Sequence, residues 1–213
     1  MSNEVNNFSL AEEFWHSITH GLGLILSIIA LASLVYVTYD AKELQLFSAL
    51  IYGSSLVIMY GSSTIYHASK KTSSKLLFQK FDHSAIYFLI AGTYTPIVLL
   101  SIGGISGWSI FAIEWSIAII GVYLKFKYPQ KLEMLSLVAY LIMGWLIVVD
   151  ISSLKANIDV VGFNLIVAGG VAYTAGIIFY VKDHKNYWHA IWHLFVLAGS
   201  AFQFFAIYFY VLV

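Results

Sequence analysis

His189 and His193 stand four positions apart. On a helix that spacing puts two imidazoles on one face, about 5–6 Å apart at Cβ, as a chelating pair requires. Alone, a pair flanked by Trp188 and Trp192 reads equally well as an amphipathic anchor at a membrane surface. His67 and Asp82 enlarge it: three neutral nitrogens and a carboxylate are the donor set of a catalytic zinc site, in which three side chains hold the ion and one position is left to water. The chain has no Cys, which excludes thiolate ligands, disulfides and a Cys nucleophile, and an imidazole-dominated set favours zinc over iron or copper.

Around these four residues stand others with two readings each. Ser63 precedes His67 by one helical turn, so its hydroxyl can face the same site and hold a water or a substrate oxygen; it can equally satisfy a backbone carbonyl one turn back, and Ser62 is an alternative. Glu13 and His20 can orient a ligand from behind, or form a polar helix start. His16 and His83 read as interfacial residues. Glu114 is isolated in an apolar stretch and has no evident partner, and His184 lies among Lys182, Asp183 and Lys185.

The elements that must position these groups follow from composition. Of 213 residues 60% are hydrophobic and only 10% charged, whereas a soluble domain carries about a quarter charged residues; mean hydropathy is +0.82. An all-α integral membrane protein is expected, because a bilayer core of about 30 Å needs roughly 20 apolar residues per helix. Seven such stretches occur, at 16–38, 46–67, 83–102, 108–124, 132–149, 160–181 and 188–213, within a single seven-helix membrane domain over 1–213. Runs such as Ile25-Leu26-Ser27-Ile28-Ile29-Ala30-Leu31 lack the period-two alternation of a membrane β-barrel. Residues 1–12 hold Glu4 and Glu12 but no Lys, so they lack the basic start of a secretory signal and are expected to be retained. Trp15, Trp108, Trp188 and Trp192 fall near helix ends, as interfacial anchors do. Gly92-Thr93-Tyr94-Thr95-Pro96 predicts a kink in the third helix. No internal repeat argues for an inverted-repeat transporter.

Ionisable groups inside membrane helices are costly and need a reason. Here they gather: Glu13, His16 and His20 at the start of the first helix, Ser63 and His67 at the end of the second, Asp82 and His83 at the start of the third, His189 and His193 at the start of the seventh. Nine of the eleven Lys (Lys70, Lys71, Lys75, Lys80, Lys125, Lys127, Lys131, Lys182 and Lys185) lie in the connections on that same side, and only Lys42 and Lys155 on the other. Retention of positive charge then makes that side cytoplasmic, with the N-terminus inside and the C-terminus outside. This orientation is opposite to that of G-protein-coupled receptors. A retinal protein is excluded because residues 188–213 contain no Lys for a Schiff base. With zero net charge nothing points to nucleic acid; the expected partners are membrane lipids, and the oligomeric state is left open.

Four motifs carry a resemblance that spans essentially the whole chain. Glu13-Phe14-Trp15-His16-Ser17-Ile18-Thr19-His20-Gly21, Ser63-Thr64-Ile65-Tyr66-His67, Phe81-Asp82-His83-Ser84-Ala85-Ile86 and His189-Ala190-Ile191-Trp192-His193 occur in that order. In them the chain resembles the hemolysin III family, the bacterial branch of the progestin and adipoQ receptor group within the CREST superfamily of membrane hydrolases. The resemblance implies zinc held by His67, His189 and His193, with Asp82 reaching it directly or through water, and a functional Ser63. It also implies residence in the bacterial cytoplasmic membrane, with the metal site in the cytoplasmic leaflet, and a role in lipid homeostasis through hydrolysis of ceramide-like acyl amides. Asp82 and Ser63 are then the catalytic candidates. Two other readings stand beside it: a lipid-state sensor or receptor with structural zinc, which requires a closed fourth position, and a membrane-permeabilising hemolysin, which seven long resident helices support poorly.

Overall fold

The computed structural model describes residues 8–128 and 132–213; Glu4 and Lys131, used above for the signal and charge arguments, lie outside them. Ser9 opens the chain's first helix, α1 (Leu10–Thr38): its hydroxyl accepts from the Glu12 N–H while the Glu12 carboxylate accepts from the Ser9 N–H, a reciprocal cap that satisfies two otherwise free donors. The helix therefore begins earlier than hydropathy predicts, and His16 and His20 sit within it. α2 (Glu43–Ala68) follows.

The largest departure from expectation is α3 (Thr72–Pro96). It starts well before residue 83, because an amphipathic extension bearing Lys75 and Lys80 belongs to the helix although it is too polar to register as a span. Asp82 and His83 consequently lie mid-helix, not at its start. Past Pro96, which lacks an N–H to donate, the helix widens into a π segment over Ile97–Ile102. The predicted irregularity thus sits just beyond the Thr93-Tyr94-Thr95-Pro96 run, where the hydroxyls of Thr93 and Thr95 donate to the carbonyls of Leu89 and Ala91. Gly103 and Gly104, at φ +66° and +54°, make the tight turn into α4 (Gly104–Lys127); such backbone angles favour glycine.

The fifth span is broken: α5 (Glu133–Trp145), a 3₁₀ stretch over Leu146–Asp150, then α6 (Ile151–Asn157). It runs past the predicted end at 149 and takes in Lys155. Tyr94 bridges the break, its hydroxyl donating to the Gly144 carbonyl and accepting from the Ile147 N–H, both at 3.0 Å. α7 (Val160–Val181) keeps its predicted limits, and α8 (Trp188–Ile207) ends in a π turn over Tyr208–Leu212.

Among the described residues there are seven helical spans long and apolar enough to cross a membrane, and no strand. The third is the most enclosed. Ile25, Ile28, Ile29, Ile119 and Ile120 project outward, an apolar surface that suits lipid contact and not water.

Candidate metal centre

Side chains of α1, α2 and α8 meet where α3 carries its polar extension: the rings of His16, His67 and His189 lie together, and Lys75 of α3 pairs with Glu13 beside them. One ligand atom from each of His67, His189 and His193 lies within 4.8 Å of the other two, and all three residues are buried. Two lie four residues apart on α8 and the third closes α2, so one bundle end brings together residues 126 positions apart in sequence. His67 Nε2 and His189 Nδ1 are enclosed without a hydrogen-bond partner, and buried polar atoms left in this way are uncommon unless a ligand completes them. The donor set fits zinc.

The surroundings hold the rings in place. Glu13 Oε2 lies 2.7 Å from His67 Nδ1, a carboxylate–imidazole contact of the kind that fixes the tautomer of a ligand and leaves its other nitrogen facing a metal. The other oxygen of Glu13 pairs with Lys75 of α3, tying three spans at one carboxylate. His193 Nδ1 is 3.0 Å from the Thr19 hydroxyl. His20 stacks on His193, with ring centroids 3.5 Å apart and planes at 11°, and its Nδ1 lies 2.7 Å from Ser63 Oγ.

Ser63 is therefore turned inward. Ser62, its alternative, donates to the Ile58 carbonyl on the exposed side. Ser63 and Asp82 line one cavity with His20, His83, His189 and His193. Asp82 does not belong to the atoms that converge within 4.8 Å. The cavity holds about 120 Å³ and continues between apolar walls from the fifth and sixth spans, including Leu141, Trp145, Thr174 and Ile177. Those two spans touch sparingly, and Trp145 Nε1 donates to the Thr174 hydroxyl across them at the surface.

Three expectations need correction. His16 is not interfacial: it is fully buried, with ring centroids 4.7, 4.9 and 5.4 Å from those of His67, His189 and His193. His83 is also buried and lines the cavity, its carbonyl accepting from the Tyr140 hydroxyl at 2.8 Å. Trp192 lines the cavity as well and packs on Gly176, where any β-carbon would stand 2.8 Å from its ring. A sign of the first was available, since His16 and His20 repeat the four-residue spacing of His189 and His193. Phe8, whose ring lies 4.7 Å from that of His16, carried no such sign. His184 is exposed in its loop. Glu114 is fully buried with neither oxygen partnered, outside both the cavity lining and the metal-capable groups.

The family model described as "Haemolysin-III related" matches residues 8–204. Hemolysin-3 of Bacillus cereus is 44% identical over 202 residues, covering 94% of this chain and 92% of that protein. The Hemolysin-3 homolog of Bacillus subtilis (strain 168) is 40% identical over 204 residues, covering 95% and 96%. Monocyte to macrophage differentiation factor of Homo sapiens is 31% identical over 199 residues, covering 90% and 81%. With seven apolar helices and a match that takes in every element of the candidate centre, this integral membrane protein belongs to the haemolysin-III related family.

Proposed function

We propose that this protein is a zinc-dependent hydrolase of acyl-amide lipids, resident in the bacterial cytoplasmic membrane with its metal centre in the cytoplasmic leaflet. One observation carries the reading: three buried imidazoles converge, two of them with unpartnered ring nitrogens, and His189 and His193 among them line an apolar cavity whose polar lining includes Ser63 and Asp82. His67, His189 and His193 would hold the ion. Zinc held by three neutral ligands supplies Lewis acidity toward water and carbonyl oxygen.

The chain's own residues supply the rest. Asp82, in the lining of the cavity, would accept a proton from attacking water and later return it to the leaving amine. Ser63, oriented by His20, donates a hydrogen bond to the oxygen that gains charge at the reacting carbon. Glu13 keeps His67 in one tautomer, and Lys75 balances the charge of Glu13. The walls of the fifth and sixth spans accept an acyl chain, so a lipid can enter sideways while its linkage stays at the polar end. The cytoplasmic placement is supported by the Lys-rich α2–α3 connection, whose side supplies Lys75 to Glu13.

The test compares wild type, Asp82→Asn, Ser63→Ala and His67→Ala for zinc content, thermal stability and conversion of a panel of acyl-amide lipids in nanodiscs. A hydrolase loses turnover in all three, by roughly 10²-fold or more for Asp82→Asn, while zinc is lost mainly in His67→Ala. If the wild type converts no lipid and the zinc-free variant melts far lower, the metal is a staple for a lipid-state sensor. Dye release from vesicles at equal protein loading, with no lipid converted, would instead support the permeabilising reading.

A further inference from the structure

His16 is a buried imidazole that neither the triad nor the proposed chemistry uses. It is enclosed completely and neither of its ring nitrogens has a hydrogen-bond partner, although an imidazole always has at least one donor or acceptor to satisfy. Nor is it remote from other donors. A ligand atom of His16, one of His67 and one of Glu13 lie within 4.8 Å of one another, all on buried residues. Glu13 Oε2 stands 2.7 Å from His67 Nδ1 and 3.9 Å from His16 Nδ1. Donors held tetrahedrally at about 2.0–2.2 Å from an ion are roughly 3.3–3.6 Å apart, and the two distances bracket that value.

The other oxygen of Glu13 stays with Lys75, so Oε2 can serve an ion without stripping the ammonium of its counter-charge. Each ring nitrogen of His67 is directed to a different position, since Nδ1 faces Glu13 while Nε2 is buried and unpartnered. Phe8 packs edge-on against His16 and lies 5.0 Å from the His189 ring, closing this end of the group.

We propose that Glu13, His16 and His67 form a second divalent-cation site, sharing His67 with the triad. It rests on the metal reading above only in that His67 serves both positions. Its ligand is zinc or another borderline transition ion, as a mixed carboxylate–imidazole set dictates. It is the weaker position, because an entering ion must expel to solvent the proton shared by Glu13 and His67, which leaves His67 as an imidazolate bridging the two positions when both are filled. An ion held there stands one imidazole away from the triad, where it is staged for the tighter position.

The experiment titrates the metal-stripped full-length protein in detergent with zinc against a chromophoric chelator, and follows cobalt absorption in parallel. Wild type is expected to take one tight and one weaker equivalent. His16→Ala and the bulkier His16→Gln should keep the tight equivalent and weaken the other roughly tenfold or more. His193→Ala should do the reverse, His67→Ala should lose both, and His184→Ala should change neither. Melting curves confirm that each variant is folded, and the wild-type stoichiometry tests the site without any substitution. A single equivalent in wild type, or a weaker equivalent that survives in both His16 variants, overturns the second site while leaving the triad standing. Undiminished tight binding in both His67→Ala and His193→Ala overturns the triad.

Discussion

Replacing Glu13 by Gln tests whether the chain around the triad, and not the three rings alone, sets metal affinity. Glu13 meets His67 Nδ1 at 2.7 Å and Lys75 at its other oxygen, with only 10% of its own side chain and 13% of that of Lys75 exposed. Loss of a carboxylate that orients a metal-binding imidazole costs 10- to 100-fold in affinity, which is about 1.4–2.7 kcal/mol. A separate penalty falls on the fold, since Lys75 loses its counter-charge in a largely enclosed position, and breaking a buried pair costs about 3–5 kcal/mol at full burial. Residual exposure should bring the value here to the low end or below. The double variant Glu13→Gln with Lys75→Met separates the two effects: it should recover most of the thermal stability and none of the zinc affinity. The assay is chelator competition for affinity beside melting in the apo state. If Glu13→Gln binds zinc like wild type, the carboxylate does not orient a ligand, and its role is confined to pairing with Lys75.

Other outcomes follow from the same structure. His67→Ala, His189→Ala and His193→Ala should each lose most co-purifying zinc and His184→Ala none, as read by elemental analysis. Because the ligands must be neutral to bind, protons compete with the ion, so zinc affinity should fall in acid, read by chelator competition across a pH series; an affinity independent of pH down to the point of unfolding would contradict imidazole ligation. A reporter fused after Val213 should be active only outside the cytoplasm, given the lopsided Lys distribution. Ile177→Trp, which fills the apolar part of the cavity, should depress turnover of long-chain lipids more than short-chain ones while leaving zinc content intact; an equal loss for both would argue against sideways entry.

Much of the fold was legible because lipid imposes a simple length rule, and α7 was readable to the residue from hydropathy. Where other forces set the boundary, hydropathy misread it. The Ser9–Glu12 cap begins α1 before its apolar run, and the first turns of α3 are helical yet polar because Lys75 is needed by Glu13. The 3₁₀ break after Trp145 could not be foreseen, since it depends on the Tyr94 hydroxyl from another span. At the site, His67, His189 and His193 were recognisable from residue type and spacing. His16 was legible only in part: it repeats with His20 the four-residue spacing of the pair on α8, but whether it is enclosed or interfacial depends on where the helix starts. Ser63 could be told from Ser62 only once His20 was placed opposite it.

The metal-capable histidines and Glu13 stand on α1, α2 and α8, with Asp82 and Lys75 on α3, whereas much of the apolar cavity wall comes from the fifth and sixth spans. The partition is one of roles and not of packing, since α7 lies along α8 and its Gly176 seats Trp192 beside the histidine pair. Substitutions at Leu141, Thr174 or Ile177 can reshape the apolar part of the cavity and, among the described residues, break no hydrogen bond to the three converging imidazoles. On the proposed reading, one set of converging imidazoles can be re-fitted to lipids that differ in chain length or branching through two helices that touch each other only lightly.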